Sequence, residues 1–208
     1  AALSSRYAVA EMLLSGITTV LDMYYFEEVV AKVMDEMGIR GIAGETVMET
    51  DSCDSENTDK AIERGLALIA AYKDHPRVSG TLTPHGTTTC SPETLKRVYE
   101  EDVKAGSVFT LHTAEMDYEM TQIREQYGMT PVEFLEHIGV LGPNTLTAHT
   151  IHATERDVEI LAKHGASVAH CIASNTKAGK GVAPVSLMHK HGISVGFGTD
   201  GPASGNTL

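Results

Sequence analysis

Four histidines and one aspartate stand at the ends of short apolar runs that are typical of β-strands. The runs TLTPH, FTLH, LTAH, VAH and VGFGTD end on His85, His112, His149, His170 and Asp200. Carboxyl ends of parallel strands lie along one edge of a sheet, and in a barrel they converge on one mouth. Histidine nitrogens with one carboxylate are the usual ligands of a catalytic zinc ion, which keeps one position open for water. The pattern therefore favours a hydrolytic metal site.

Each of these residues also has an ordinary structural explanation when it is taken alone. A single histidine at a strand end is more often a hydrogen-bonded structural residue than a ligand, and the aspartate of GTDG is a common turn residue. Ten histidines placed at random would not tend to end four separate strands. The five residues together are therefore better explained by a shared site. For His152 in AHTIH, support of His149 and a core or capping position both stay open.

Glu115 follows His112 by three residues in the stretch LHTAEMDYE. If His112 holds a metal, a glutamate at this spacing reaches the metal-bound water across the first turn of the next loop. It can then carry a proton to a leaving group. The alternative for acidic residues here is a solvated helix start, which the helix dipole favours. We assign that alternative to Asp117 and Glu119, and the proton-carrying role to Glu115.

Composition excludes several classes of partner and environment. The chain has 208 residues, 42% of them hydrophobic, and a formal net charge of −12, which disfavours nucleic acid and anionic membrane surfaces. Its three cysteines are far apart and show neither disulfide-framework nor thiolate-zinc spacing. No apolar run reaches 18 residues. We expect a cytoplasmic protein with a small-molecule substrate; assembly into a homo-oligomer stays open.

Seven short apolar strands alternate with helical patterns along the chain, and no hairpin signal joins two strands. Ser91 and Thr154 are predicted helix N-caps, and Gly106 and Gly165 are predicted helix ends. Such alternation predicts an α/β fold with a parallel sheet, either doubly wound and open or closed into a (β/α)8 barrel. No glycine-rich phosphate-binding motif opens a helix, which weakens the nucleotide-binding open sheet. No linker marks a second domain, so residues 1–208 are predicted to form a single domain.

Four stretches of the chain, in order and spacing, resemble one known family. They are TPHGTTTCSPETL, LHTAEMDYE, the segment from TAHTIH to MHKHG, and GFGTDGPASGN. The family is the amidohydrolase superfamily, in the branch that holds methylthioadenosine/S-adenosylhomocysteine deaminases, guanine and cytosine deaminases and triazine hydrolases. The resemblance covers nearly the whole chain. It implies a TIM-type (β/α)8 barrel with a small β-sandwich built from both chain ends.

The same resemblance implies the residues of the site. Family members hold one divalent metal, zinc or sometimes iron, through an HxH pair on strand one, a histidine on strand five and an aspartate on strand eight. Here it implies His112 and Asp200 as metal ligands and Glu115 as the catalytic proton shuttle. It also implies His149 and Asp200 as the other catalytic residues, which would position the attacking water. His85 is similar to the histidine of strand four that contacts substrate.

The chain departs from the family pattern in ways that predict an internal fragment. None of its predicted strands carries the HxH pair, and the first residues already lie in a helical pattern. We therefore expect residues 1–208 to form strands two to eight of the barrel, without strand one and the sandwich. Glu45 stands about where S-adenosylhomocysteine deaminases are expected to have an arginine. Asn175 is expected to shape the loop after strand seven.

These observations predict a metal-dependent hydrolase that deaminates an amino-substituted heterocycle, such as a purine, a pyrimidine or a related nucleoside. One alternative keeps the site and changes the leaving group, as in a triazine chlorohydrolase or aminohydrolase. The other alternative is a catalytically silent fragment without bound metal. Sequence alone leaves the substrate and the identity of the metal open.

Overall fold

Seven β-strands and nine α-helices alternate within residues 1–205, the part of the chain that the computed structural model describes. None of the helices in this range is long and apolar enough to cross a membrane. The strands are β1 (Thr19–Tyr24), β2 (Arg40–Val47), β3 (Val78–Pro84), β4 (Phe109–Thr113), β5 (Thr145–His149), β6 (Ser167–His170) and β7 (Val195–Phe197). The helices are α1 (Ala2–Leu14), α2 (Glu27–Met37), α3 (Thr58–Ala71), α4 (Pro92–Ala105), α5 (Asp117–Tyr127), α6 (Pro131–Ile138), α7 (Glu155–His164), α8 (Ile172–Lys177) and α9 (Val185–Lys190).

All seven strands run parallel and lie side by side in the order of the chain. Strands β1 to β3 form one sheet and β4 to β7 form another. The two sheets meet at a parallel bridge between Gly86 and His112, where the His112 N–H donates to the carbonyl oxygen of His85 at 3.1 Å. This arrangement confirms the predicted α/β fold and is that of a barrel whose ring of strands is incomplete within residues 1–205.

Helix boundaries follow the capping chemistry that the sequence predicts. The Ser91 hydroxyl accepts a hydrogen bond from the Thr94 N–H at 3.1 Å, and Gly106 ends α4 with φ of 70°. Thr154 begins α7 through a reciprocal capping box with Asp157. Each cap satisfies backbone groups that the first and last turns leave without intrahelical partners. The caps therefore fix where α4 and α7 begin and end.

Apolar residues fill the layer between the strands and the helices. The larger cluster lies around β3 to β7 and includes the fully buried Phe109 and Leu111. A smaller cluster under α1 and α2 includes Met34 and Ile39. Helix α3 packs directly on the strands, because a Cβ at Gly80 would lie 2.7 Å from its backbone. This close contact holds the helix layer against the outer side of the sheet.

Residues 172–177 differ from the prediction. The sequence pattern predicts that Asn175 lies in a loop after the strand that ends on His170, whereas helix α8 follows β6 at once and contains Asn175. The Asn175 N–H donates to the Cys171 carbonyl at 2.9 Å, which is a helical bond. Six residues are too few to show a helical period, and serine and asparagine usually favour turns.

Helix α9 ends in the sequence His189-Lys190-His191. It precedes β7, so its last residues lie near the amino-terminal edge of the sheet. The paired histidines are therefore at the opposite edge from the strand ends that carry His112 and Asp200, and this HxH sequence does not replace the one expected on a strand.

Asp102 of α4 gives the fold a pH dependence that can be measured. It is fully buried, and its Oδ1 accepts hydrogen bonds from the Thr81 hydroxyl and the Leu82 N–H, both at 3.0 Å. Burial raises the pKa of Asp102 to about 7. Because this folded-state pKa lies above the unfolded one, the stability it contributes is complete below about pH 4 and is lost as the pH rises towards 7.

We expect the D102N protein to lack this decline. Its stability relative to the parent should increase between pH 5 and pH 7 by up to about 1.4 kcal/mol per pH unit. Urea unfolding of the full-length protein across this range measures the difference. E100Q, at an exposed position of the same helix, is the control and should track the parent. Parallel curves for D102N and the parent would show that Asp102 is not the group that titrates.

Candidate active site

Three histidine rings lie next to one another at the carboxyl ends of β3, β4 and β5. The ring centroids of His85 and His112 are 4.7 Å apart, and those of His112 and His149 are 5.3 Å apart with nearly parallel planes. Each ring comes from a different strand, so parallel pairing alone brings them together. The predicted convergence of these three strand ends is present.

Backbone strain is concentrated at the same edge. Ala114, His149, Thr150 and Asp200 all have positive φ angles, between 49° and 67°, although none is glycine. This left-handed conformation costs a residue with a Cβ roughly 1–2 kcal/mol. It breaks the alternation of side chains, so residues that follow a regular strand can point back towards the mouth of the sheet. Such strain is typical of functional sites.

Hydrogen bonds orient two of the imidazole rings. The Nδ1 atom of His112 lies 2.5 Å from the carbonyl oxygen of His85, and Nδ1 of His149 lies 2.8 Å from Oδ1 of Asn175. Both oxygens are acceptors, so each Nδ1 carries the proton and donates. In the neutral ring this tautomer leaves a lone pair on Nε2, the form in which histidine binds a metal or accepts a proton.

Two carboxylates complete the cluster. Glu115 Oε1 is 3.6 Å from Nε2 of His149 and also contacts the ammonium of Lys180. Asp200 accepts hydrogen bonds on both oxygens, from the Ser174 hydroxyl at 2.5 Å and from its neighbour's backbone N–H at 2.6 Å. The cluster thus combines imidazole bases with a carboxylate placed against one of them.

The surroundings set the charge of these groups. Burial lowers the pKa of His85 to about 4, and the neighbouring His112 adds to the effect. Burial also lowers the pKa of His149, although Glu115 and Asn175 act against it. For Asp200, burial acts to raise the pKa, but hydrogen bonds and the nearby His149 and His112 outweigh it and hold the pKa below its usual value. Neutral imidazole and ionised carboxylate are the forms that bind metals.

The donor set fits a divalent metal in part. His112 offers Nε2, with Nδ1 fixed by a carbonyl, and Asp200 offers a carboxylate that is itself hydrogen-bonded, as metal-binding carboxylates usually are. Within residues 1–205, no three His, Cys, Asp or Glu side chains are arranged so as to hold one ion. His112 and Asp200 are therefore two suitable donors, and a third is not placed beside them in this range.

Glu119 differs from the sequence prediction of a solvated helix start. It is 5% exposed, and its carboxylate accepts hydrogen bonds from the Thr87 hydroxyl at 2.6 Å and from the N–H groups of Ala114 at 3.1 Å and Glu115 at 2.9 Å. Asp117 is solvated as predicted, with a side chain 97% exposed. Glu119 is buried because the strained loop after β4 turns its N–H groups towards the first turn of α5. Helical spacing alone would not have revealed this.

Three residues on one segment make supporting contacts that the sequence analysis did not predict. Ser174, Asn175 and Lys180 lie between β6 and α9, and they bond to Asp200, His149 and Glu115 respectively. Asn175 therefore lies in α8 and not in a loop, and its side chain contacts a predicted catalytic residue. The sequence signal was the Ser-Asn pair that begins three residues after Cys171, but nothing in its spacing indicated the partners.

His170 and His152 take different positions from the cluster's main members. His170 is 6% exposed, and its Nδ1 has no hydrogen-bond partner among the described residues. His152 Nε2 faces Asp117 Oδ1 at 3.6 Å, and its backbone N–H donates to the Ala114 carbonyl at 2.9 Å. Neither ring hydrogen-bonds to His149 within residues 1–205.

An arginine does lie beside Glu45, although the sequence showed none in the following loop. Arg64 of α3 contacts Glu45 at 3.1 Å, Asp54 at 3.4 Å and Glu28 at 2.7 Å. Burial and the Asp54 charge raise the pKa of Glu45 to about 7, against the effect of this arginine. The guanidinium is thus surrounded by carboxyl groups of the protein itself.

Two curated proteins that are similar to this chain in sequence are both named as deaminases. The chain is 41% identical over 203 residues to 5-methylthioadenosine/S-adenosylhomocysteine deaminase 2 of Archaeoglobus fulgidus. The matched residues cover 97% of this chain and 48% of that protein. It is 39% identical over 200 residues to the 5-methylthioadenosine/S-adenosylhomocysteine deaminase of Aquifex aeolicus, covering 96% of this chain and 46% of the relative. The chain spans about half the length of the curated relatives it matches.

Solved structures agree with the fold. An adenosine deaminase from Xanthomonas campestris with bound zinc superposes with a TM-score of 0.94 at 29% identity, over 98% of this chain and 46% of that one. Atrazine chlorohydrolase from Arthrobacter aurescens TC1, complexed with zinc, gives a TM-score of 0.88 at 28% identity, over 96% and 48% of the two chains. The sequence model of the amidohydrolase family matches residues 1–208. This chain belongs to the amidohydrolase family.

Proposed function

We propose that this protein is a metal-dependent hydrolase that removes the amino group of an amino-substituted heterocycle. The observation that carries the proposal is the contact geometry of Glu115 and His149, a carboxylate 3.6 Å from a neutral imidazole nitrogen. Two relatives named as 5-methylthioadenosine/S-adenosylhomocysteine deaminases and one named as an adenosine deaminase support the reaction type. The substrate is a small molecule; a cytoplasmic location and homo-oligomer formation stay predictions.

One divalent metal is part of the proposal, with zinc expected and iron as the alternative. Zinc is present in both of the structural neighbours described above. In this chain His112 and Asp200 would hold the ion. When bound, a divalent metal lowers the pKa of a coordinated water to about 7, so hydroxide becomes available at neutral pH.

Residues of this chain would then carry the proton and orient the reactants. Glu115 takes a proton from the attacking water as the water oxygen bonds to the ring carbon. It returns that proton to the ring nitrogen. It then takes the remaining proton of the added hydroxyl and passes it to the amino group, so that the C–N bond breaks, ammonia leaves and the ring carbon becomes a carbonyl. Neutral His149 orients the water, and His85 contacts the ring. Asp200 serves both as ligand and as a partner for the attacking water.

The surroundings of Arg64 favour a substrate without a carboxylate tail. Of the two substrates in the relatives' names, S-adenosylhomocysteine carries an amino-acid carboxylate and methylthioadenosine does not. Arg64 is the arginine beside Glu45, and Glu45, Asp54 and Glu28 already surround it. Capture of a substrate carboxylate there would require displacing one of these partners. An uncharged thioether nucleoside is the better match.

Replacement of Glu115 tests the proton-carrying role. In the full-length protein, E115Q should retain its metal, because Glu115 is not a proposed ligand, and should lose roughly 10²–10⁴-fold in kcat. Ammonia release and metal content by elemental analysis measure the two effects. D117N, at the exposed position two residues on, is the matched control and should turn over at the parental rate. An E115Q protein with parental kcat would remove Glu115 from the mechanism.

A second candidate keeps the site and releases another group. The structural likeness to atrazine chlorohydrolase supports it. A panel of aminopurine nucleosides, aminopyrimidines and chloro- or alkylamino-triazines, scored for ammonia, chloride and alkylamine, separates the two. We expect ammonia from the nucleosides and at most trace chloride. Chloride as the fastest product would replace the deaminase proposal with the triazine one.

Metal analysis tests the alternative of a catalytically silent protein. We expect the full-length protein to hold close to one zinc per chain and to lose it in H112A and D200A, because each removes a proposed ligand. H189A, at the far edge of the sheet, should keep the parental content. Absence of metal from the purified parent, with no gain on adding zinc, would favour the silent alternative.

A further inference from the structure

Lys180 makes an ion pair with Glu115, the residue proposed to carry the proton. Its ammonium contacts Glu115 Oε1, and the two side chains are only 21% and 14% exposed. We propose that Lys180 is a positioning residue, which holds the Glu115 carboxylate beside His149 so that Glu115 can carry the proton between water and substrate. The inference rests on the proposed function and deepens it.

The backbone around Lys180 points its side chain into the cluster. Gly179 and Gly181 flank it with φ of 66° and 117°, a region that favours glycine. A Cβ at Gly181 would lie 2.9 Å from Cγ2 of Ile151, which follows β5 closely. The Lys180 N–H donates to the Asn175 carbonyl at 2.8 Å. The position of the ammonium is therefore set by a loop that packs against Ile151 and hydrogen-bonds to Asn175.

The same carboxylate oxygen of Glu115 faces both Lys180 and His149. Oε1 contacts the Lys180 ammonium and lies 3.6 Å from His149 Nε2. An ammonium has three donors and no acceptor, so it can hold a carboxylate oxygen by hydrogen bonding and cannot itself accept the proton that Glu115 carries. Oε2 is left to take up and return a proton. Anchoring at Oε1 thus fixes the carboxylate while leaving its second oxygen for chemistry.

Two other residues of the same segment support the cluster in the same way. Ser174 donates to Asp200 and the side-chain oxygen of Asn175 accepts from His149, so the residues from Ser174 to Lys180 contact three proposed catalytic groups. Asn175 is fully buried, whereas Lys180 is partly exposed. Lys180 is therefore the member of the set whose replacement is best tolerated by the fold.

Lysine variants of the full-length protein test the inference. K180M keeps a flexible apolar stem without the charge and should lower kcat roughly 10- to 100-fold with KM nearly unchanged, because misplacement of a catalytic group acts on the chemical step. K180R should restore most of the loss, since a guanidinium also pairs with a carboxylate. K190M, at an exposed position of α9, should behave as the parent. Metal content and melting temperature should not change in any of them.

The ion pair between Lys180 and Glu115 can also be tested without measuring enzyme activity. Trace acetylation of amines, quantified by peptide mass spectrometry, should modify Lys180 more slowly than Lys190 in the parent. In E115Q its rate should rise towards that of Lys190, and in D117N it should stay slow. Equal rates for the two lysines in the parent would overturn the ion pair.

The outcomes separate this inference from the proposed function. A parent that releases ammonia while K180M has the parental kcat would overturn the role of Lys180 and leave the function standing. A K180M protein that melts early or loses metal, without rescue in K180R, would show a structural role and overturn the inference too. A parent with no turnover on any substrate would overturn the function, and acetylation would still decide the pairing.

Discussion

The carbonyl oxygen of His85 accepts two hydrogen bonds from His112, and the arrangement of the site depends on them. The backbone N–H of His112 reaches it at 3.1 Å and the ring Nδ1 at 2.5 Å. The first bond connects the two sheets at the point where β3 meets β4. The second fixes the orientation of the ring and directs Nε2, the nitrogen that can bind a metal, away from the carbonyl. One acceptor thus links the continuity of the strands with the chemical form of a proposed ligand.

The segment from Ser174 to Lys180 supports the other side of the cluster. It begins within α8, the helix that follows β6, and it supplies a hydroxyl, an amide and an ammonium to Asp200, His149 and Glu115. Strand pairing brings backbone ends together, but it does not decide the rotamers of the side chains there. Hydrogen bonds from a packed neighbour do so, which is why catalytic groups usually depend on such supporting residues.

Burial divides the acidic residues of this protein into two kinds. The net charge of −12 is carried mostly by exposed groups such as Asp117. Glu119, only two residues further on, is buried and accepts three hydrogen bonds that hold the loop carrying Glu115. A buried carboxylate is stable only when such partners offset the loss of hydration. Two chemically similar residues in one helical turn therefore have a solvated role and a structural role.

The sequence by itself determined the order of strands and helices and most of the helix ends, since period, N-caps and glycines are local signals. It also placed His85, His112, His149 and Asp200 at strand ends, because parallel strands share one edge. Only the tertiary structure decided the partners of those side chains, the short helix α8, the burial of Glu119 and the surroundings of Arg64. These depend on backbone angles and contacts between residues far apart in the chain, such as Lys180 and Glu115, and no local spacing contains that information.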